Sequence, residues 1–197
     1  MNKLLKIFRY AGVSLIFIAL VSLGDHIIDA VSNYNAGQLS INLIENNAVE
    51  QVKIIGKAKF TNSHLGAYSF KPTLKQAIIL SDKGIDSVGA YAAFYLITGG
   101  IIMFIAYTKP KQLENLTENR LWQFVGAGAI LFFTLKFLCF FLVKGYVEDL
   151  TNKAFKYQPI SGGNINLGVI SLIAILSVIY ELLSYSRKLK QENDLTI

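Results

Sequence analysis

The chain has 197 residues, 53% of them hydrophobic and 16% charged, and a formal net charge of +6. Soluble domains usually run about 45–50% apolar and about 25% charged, so this balance argues against an ordinary soluble domain, and three prolines rule out proline-rich disorder. The basic residues are scattered, with no run of five or more, which argues against nucleic-acid binding and reads instead as topology signal and headgroup contact.

The apolar residues fall into four blocks, the pattern of spanning helices. The first follows a basic start, Lys3, Lys6 and Arg9, and runs from Ile7 through Val31. It is longer than the apolar core of a signal peptide, and VSLGDH makes a poor cleavage site, so a retained helix is predicted over 7–31 with its N-terminus in the cytoplasm. Asp25, His26 and Asp29 lie near its outer end, the two carboxylates four apart on one face. With ligands from another helix they would suit a divalent cation or a proton site. The plainer reading is a helix end reaching headgroups and water, and no metal or cofactor is assigned.

Residues 32–83 form a polar extracytoplasmic insertion. LSINLI (Leu39 to Ile44) and QVKIIGKAKF (Gln51 to Phe60) alternate at period two, and AYSFK and QAIIL offer two further strands, so a small antiparallel sheet of three or four strands is expected. Such a sheet is marginal alone and should rest on helix ends or a partner. His64, in NSHLG, reads as a loop residue.

The second span is predicted over 88–107, rich in Gly and Ala that let membrane helices approach closely. A short cytoplasmic loop with Lys109, Lys111 and Arg120 leads to the third span, 122–143. Its single cysteine, Cys139, makes no intrachain disulfide or cysteine-based zinc site and reads as a packing residue. Its Lys136 is costly in a bilayer, and would snorkel to the outer headgroups, pair with Asp25 or Asp29, or serve a transport pathway. YVEDLTNKAF would extend this helix beyond the membrane. The fourth span covers about 165–185, with Glu181 near its inner end and Arg187, Lys188 and Lys190 after it. Lys and Arg flank all the inner segments, which places both termini inside the plasma (inner) membrane of the cell. The predicted fold is an all-α membrane protein: a four-helix transmembrane bundle with a small β-rich insertion between its first two helices.

Two stretches, LTENRLWQFVGAG (Leu116 to Gly128) and YELLSYSRKLKQENDLTI (Tyr180 to Ile197), resemble domain-of-unknown-function family 2975. The first resembles the start of that family's third span, although Leu116 stands where Phe is commoner. The terminal ENDLTI, from Glu192 to Ile197, is the most specific part. The resemblance covers the membrane core, while the outer insertion is longer than in that family. It implies a small bacterial membrane protein in a regulatory or stress-linked module, often encoded beside a small helix-turn-helix regulator, and it implies no chemistry.

Both motifs lie on the cytoplasmic side. Thr117, Glu118, Asn119 and Arg120 would dock on Glu192, Asn193, Asp194 and Leu195, with Arg120 pairing with Glu192 or Asp194, and the resulting face would bind a membrane or cytoplasmic protein partner. The alternative is that the two motifs merely close the bundle. Three functions follow: a non-enzymatic regulatory or accessory interaction protein; a small transporter or channel subunit using Asp25, Asp29, Lys136 and Glu181; or a membrane enzyme. The chain lacks G-x-S-x-G, H-E-x-x-H and C-x-x-C, and its two histidines lie in different segments, so the first is adopted and the second is its alternative.

Overall fold

The computed structural model describes residues 3–45, 52–55, 58–61, 65–81, 84–111 and 118–157. The fourth predicted span, and with it the four-helix bundle, lies outside them. The described chain is mostly helical. It divides into two compact units, and α1 (Lys3–Ala36) and α4 (Glu118–Leu150) each contribute to both.

Among the described residues, three helices are long and apolar enough to cross a membrane: α1, α3 (Ala90–Thr108) and α4. At 1.5 Å per residue, 34 residues make α1 about 51 Å long and 33 make α4 about 50 Å, while the 19 of α3 give about 28 Å. A hydrocarbon core is about 30 Å thick, so α3 fits it and the other two extend past it. The apolar windows of 7–31 and 122–143 thus mark the middle of longer helices. The tail of the third helix does continue beyond the apolar window, but only to Leu150.

Helices α1 and α4 end where the backbone turns left-handed. Gly37, at φ +66°, follows α1 and donates its N–H to the Tyr34 carbonyl at 3.1 Å, a glycine C-cap. After α4, Asn152 and Lys153 have φ of 49° and 62°, and the Lys153 N–H reaches back to the Glu148 carbonyl at 2.7 Å. That closure turns the chain around and starts a strand.

In the helical unit (1–21, 91–135 and 164–197), Phe94 and Phe132 are fully buried and meet edge to face at 5.4 Å, with Tyr91 5.2 Å from Phe132. Helices α1 and α3 touch backbone to backbone at Gly12 and Gly99: a Cβ on Gly99 would lie 2.8 Å from the Gly12 carbonyl oxygen.

The sheet-bearing unit (22–90 and 136–163) has a three-stranded antiparallel sheet ordered β4-β1-β5, made of β1 (Leu39–Glu45), β4 (Leu65–Phe70) and β5 (Phe155–Tyr157). Leu39 faces Phe70 and Ile44 faces Leu65 across one ladder; Leu43 faces Tyr157 and Glu45 faces Phe155 across the other. Leu39, Ile41 and Leu43 alternate inward and are buried with Leu80, Val143 and Val147, so one face of the sheet packs on the end of α4. β2 (Val52–Ile55) and β3 (Ala58–Thr61) form a separate two-stranded antiparallel hairpin.

Three expectations are corrected. QAIIL is not a strand but most of helix α2 (Leu74–Leu80): Thr73 accepts from the Gln76 N–H, and the Gln76 side chain accepts from the Thr73 N–H, a reciprocal capping box. QVKIIGKAKF is not one strand but the two arms of the β2–β3 hairpin. The sheet is not confined to the segment between the first two helices. Its central strand β1 has two edges, and β4 fills only one of them; β5, from beyond α4, fills the other.

Candidate functional site

The predicted polar residues of α1 face different ways. His26 is buried, Asp25 is exposed and Asp29 is half-buried. The His26 Nδ1 lies 3.4 Å from the Ser81 Oγ at the C-cap of α2, and both side chains are buried. The His26 Nε2 is buried with no hydrogen-bond partner among the described residues. His26 therefore works first as a strut between α1 and the end of α2. Among the described residues no three His, Cys, Asp or Glu side chains come together to hold a metal. Lys136 is half-buried on α4. Of the expected docking face, Glu118, Asn119 and Arg120 form the first turn of α4, where Asn119 and Arg120 are exposed. Thr117, Glu181, Glu192, Asn193, Asp194, Leu195 and His64 lie outside the described residues.

Two polar arrangements were not visible in the sequence. In the sheet-bearing unit, Tyr157 on β5 donates a short hydrogen bond to Asp86. Asp86 sits in a π-helical turn, Ile85–Gly89, that leads into α3; Phe140 of α4 packs on the Tyr157 ring at 6.2 Å. This contact ties the strand after α4 to the start of α3. Burial first, then the hydrogen bond to Asp86 and its charge, push the Tyr157 hydroxyl well above the usual range. A phenol near 10 when unfolded and higher when folded gives stability that is whole below about pH 10 and fades as pH rises further. Base should therefore loosen β5, seen as tyrosinate absorbance rising together with loss of protection at β5. Tyr157→Phe should remove the step. It should also cost about 1–3 kcal/mol at neutral pH, because Asp86 keeps its place without its donor.

In the helical unit, the half-buried Arg9 joins α1 to the end of α3. Its Nη2 donates to the Ala106 carbonyl at 3.5 Å, and its guanidinium carbon stands 4.2 Å from the centre of the Tyr107 ring. Ala106 is among the last four residues of α3, whose carbonyls lack partners within the helix, so Arg9 closes the electronegative end of that helix. The sequence held one hint, a cation and an interface aromatic at the ends of two successive apolar blocks.

A groove of about 290 Å³ opens at one end of the sheet, lined by Leu43, Glu45, Leu65, Gly66, Tyr68 and Phe155. Its one charged group is Glu45. What the geometry of the described residues defines is a class, a mostly α-helical protein with three apolar helices among those residues long enough to span a membrane and a small antiparallel sheet built on the end of one of them. Compared with protein-family profiles, with curated proteins and with solved structures, the chain matched none.

Proposed function

We propose that the chain is a four-span integral protein of a bacterial inner membrane, with both termini in the cytoplasm, acting as a non-enzymatic regulatory or accessory interaction protein. One observation carries this reading. The long helices turn large apolar side chains outward, Phe17 and Ile28 on α1, Phe104 on α3, Ile130 and Leu142 on α4, while the polar segments supply the strands of the sheet. Outward-facing apolar helices need lipid around them. The shared sheet of β1 and β5, which follow the C-terminal ends of α1 and α4, supports the proposed topology. The resemblance of the Leu116–Gly128 and Tyr180–Ile197 stretches to family 2975 supports placement in a regulatory module.

The test is a mild-detergent pull-down of the tagged full-length chain from its native host. The expected result is a reproducible partner that is lost when the residues after Lys190 are removed. A partnerless preparation would favour the second reading, a small transporter. That reading draws on Asp29 and Lys136, both half-buried within spanning helices. Flux measurements on Asp29→Asn and Lys136→Gln would decide it.

A further inference from the structure

The groove at the end of the sheet is built from one face of three strands. Glu45 of β1 lies opposite Phe155 of β5, and Leu43 of β1 lies opposite Gly66 of β4. Directly paired residues share a face, as do residues two apart on a strand, so Tyr68 lines the same side as Gly66. The Tyr68 ring stands 5.7 Å from that of Phe155 and 5.5 Å from that of Phe70, a run of three rings packed on the cluster that holds Leu43. Gly66 adds no side chain, and a Cβ there would meet nothing within 4 Å, so this position leaves the space open. Glu45 is exposed and is the one charged residue of the lining.

This lining narrows the chemistry of what it can hold. A calcium ion takes about six to eight oxygen ligands, and the groove offers one carboxylate. A primary ammonium brings three N–H donors, each needing an acceptor, into walls made largely of Leu43, Leu65, Tyr68 and Phe155. A fully methylated ammonium brings no donor. Its methyl groups pack on hydrocarbon and on aromatic faces, and its charge is attracted by the rings and by a nearby carboxylate. At about 290 Å³ the groove falls at the foot of the usual range of ligand pockets, about 300–1,000 Å³, which suits an ion the size of a headgroup.

We infer that the groove binds a small water-borne quaternary ammonium ion of the choline type. Tyr68 and Phe155 hold the methylated head, Gly66 makes room for it, and Glu45 balances its charge. The exposed carboxylate marks an opening toward water rather than acyl chains, so the ion comes from solution. The groove lies wholly within the sheet-bearing unit, and the inference goes beyond the function proposed above without depending on it.

The test uses the full chain in dodecyl maltoside, a detergent without an ammonium group. Choline chloride is titrated and its methyl signal is followed by saturation-transfer NMR. Saturable transfer is expected, with tetramethylammonium competing and with ethanolamine and sodium competing little at equal ionic strength. Glu45→Gln should weaken binding about fivefold, and Phe155→Leu about threefold or more. Gly66→Val should abolish it, because the new side chain fills the groove without striking a neighbour. Glu45 and Gly66 are both exposed, so these two variants keep the test sound if Phe155→Leu fails to fold.

Absence of transfer to choline, competition by sodium equal to that by tetramethylammonium, or affinity unchanged in both Glu45→Gln and Gly66→Val would overturn the inference. Stronger competition by ethanolamine than by tetramethylammonium would reassign the groove to primary amines. Transfer to the headgroup of phosphatidylcholine micelles with none to free choline would overturn the water-borne source.

Discussion

Gly99→Leu is expected to separate α1 from α3, while Gly100→Leu, one residue on, is expected to be tolerated. A Cβ at 99 would stand 2.8 Å from the Gly12 carbonyl oxygen, 2.9 Å from Ile16 Cγ1 and 3.2 Å from Leu15 Cβ. Backbone cannot give way as a side-chain tip can, and overpacking of this kind costs about 1–3 kcal/mol or more. A Cβ at 100 meets nothing within 4 Å. Gly12→Ala should fall between the two, since the nearest atom, at 2.7 Å, is Cγ of the flexible Met103 side chain. The reading is the fraction of SDS in mild detergent at which each variant unfolds. Equal midpoints for Gly99→Leu and Gly100→Leu would mean that the helices do not cross at these glycines. In the proposed bilayer setting the pairing would gain its strength from that close approach, because lipid supplies no hydrophobic drive between apolar helices.

The second large effect belongs to Leu43. It is 1% exposed at the centre of the middle strand, packed with Leu80 and with Val143 and Val147 of α4. Leu43→Ala should cost about 2–5 kcal/mol, the lost transfer energy plus the cavity left behind. Its signature is local. Amide exchange in β1, β4 and β5 should rise at least about thirtyfold, at 1.4 kcal/mol per decade, while the Phe94–Phe132 contact of the other unit stays protected. Ser40→Ala is the control. Ser40 lies on the exposed face of β1, where its hydroxyl accepts from Ser69 at 3.1 Å, and its loss should stay within about 0.5 kcal/mol.

The three long apolar helices of the described residues were legible in the sequence because long apolar runs stand out, whereas their ends were not, because a helix can run on past its apolar stretch once begun. β1 was legible because Leu39, Ile41 and Leu43 alternate with Ser40 and Asn42, and one face is buried. QAIIL misled because its apolar run is equally at home in a short strand; the Thr73-x-x-Gln76 cap before it was the better guide. In QVKIIGKAKF the Gly56-Lys57 pair between alternating arms was a hairpin signal set against a longer period-two run. β5 is three residues long, too short for any period to show. The contacts Tyr157–Asp86, His26–Ser81 and Arg9–Ala106 join residues 71, 55 and 97 positions apart, and no local pattern encodes such pairs. Among the candidate polar residues, sequence placed Asp25, His26 and Asp29 on one helix end, but it could not say that His26 alone would turn inward.

The pairing of β1 with β5 also sets an order of events at the ribosome. β1 is made early, at residues 39–45, and its second partner strand begins only at Phe155, after α3 and all of α4 have been synthesised. Until then β1 holds a vacant strand edge, the kind of surface that pairs with the wrong chain. Its inward leucines also lack Val143 and Val147, the residues that will cover them. Completion of the sheet therefore waits for α4: a chain arrested before Phe155 would carry an unfinished sheet with one open edge and its inward leucines uncovered.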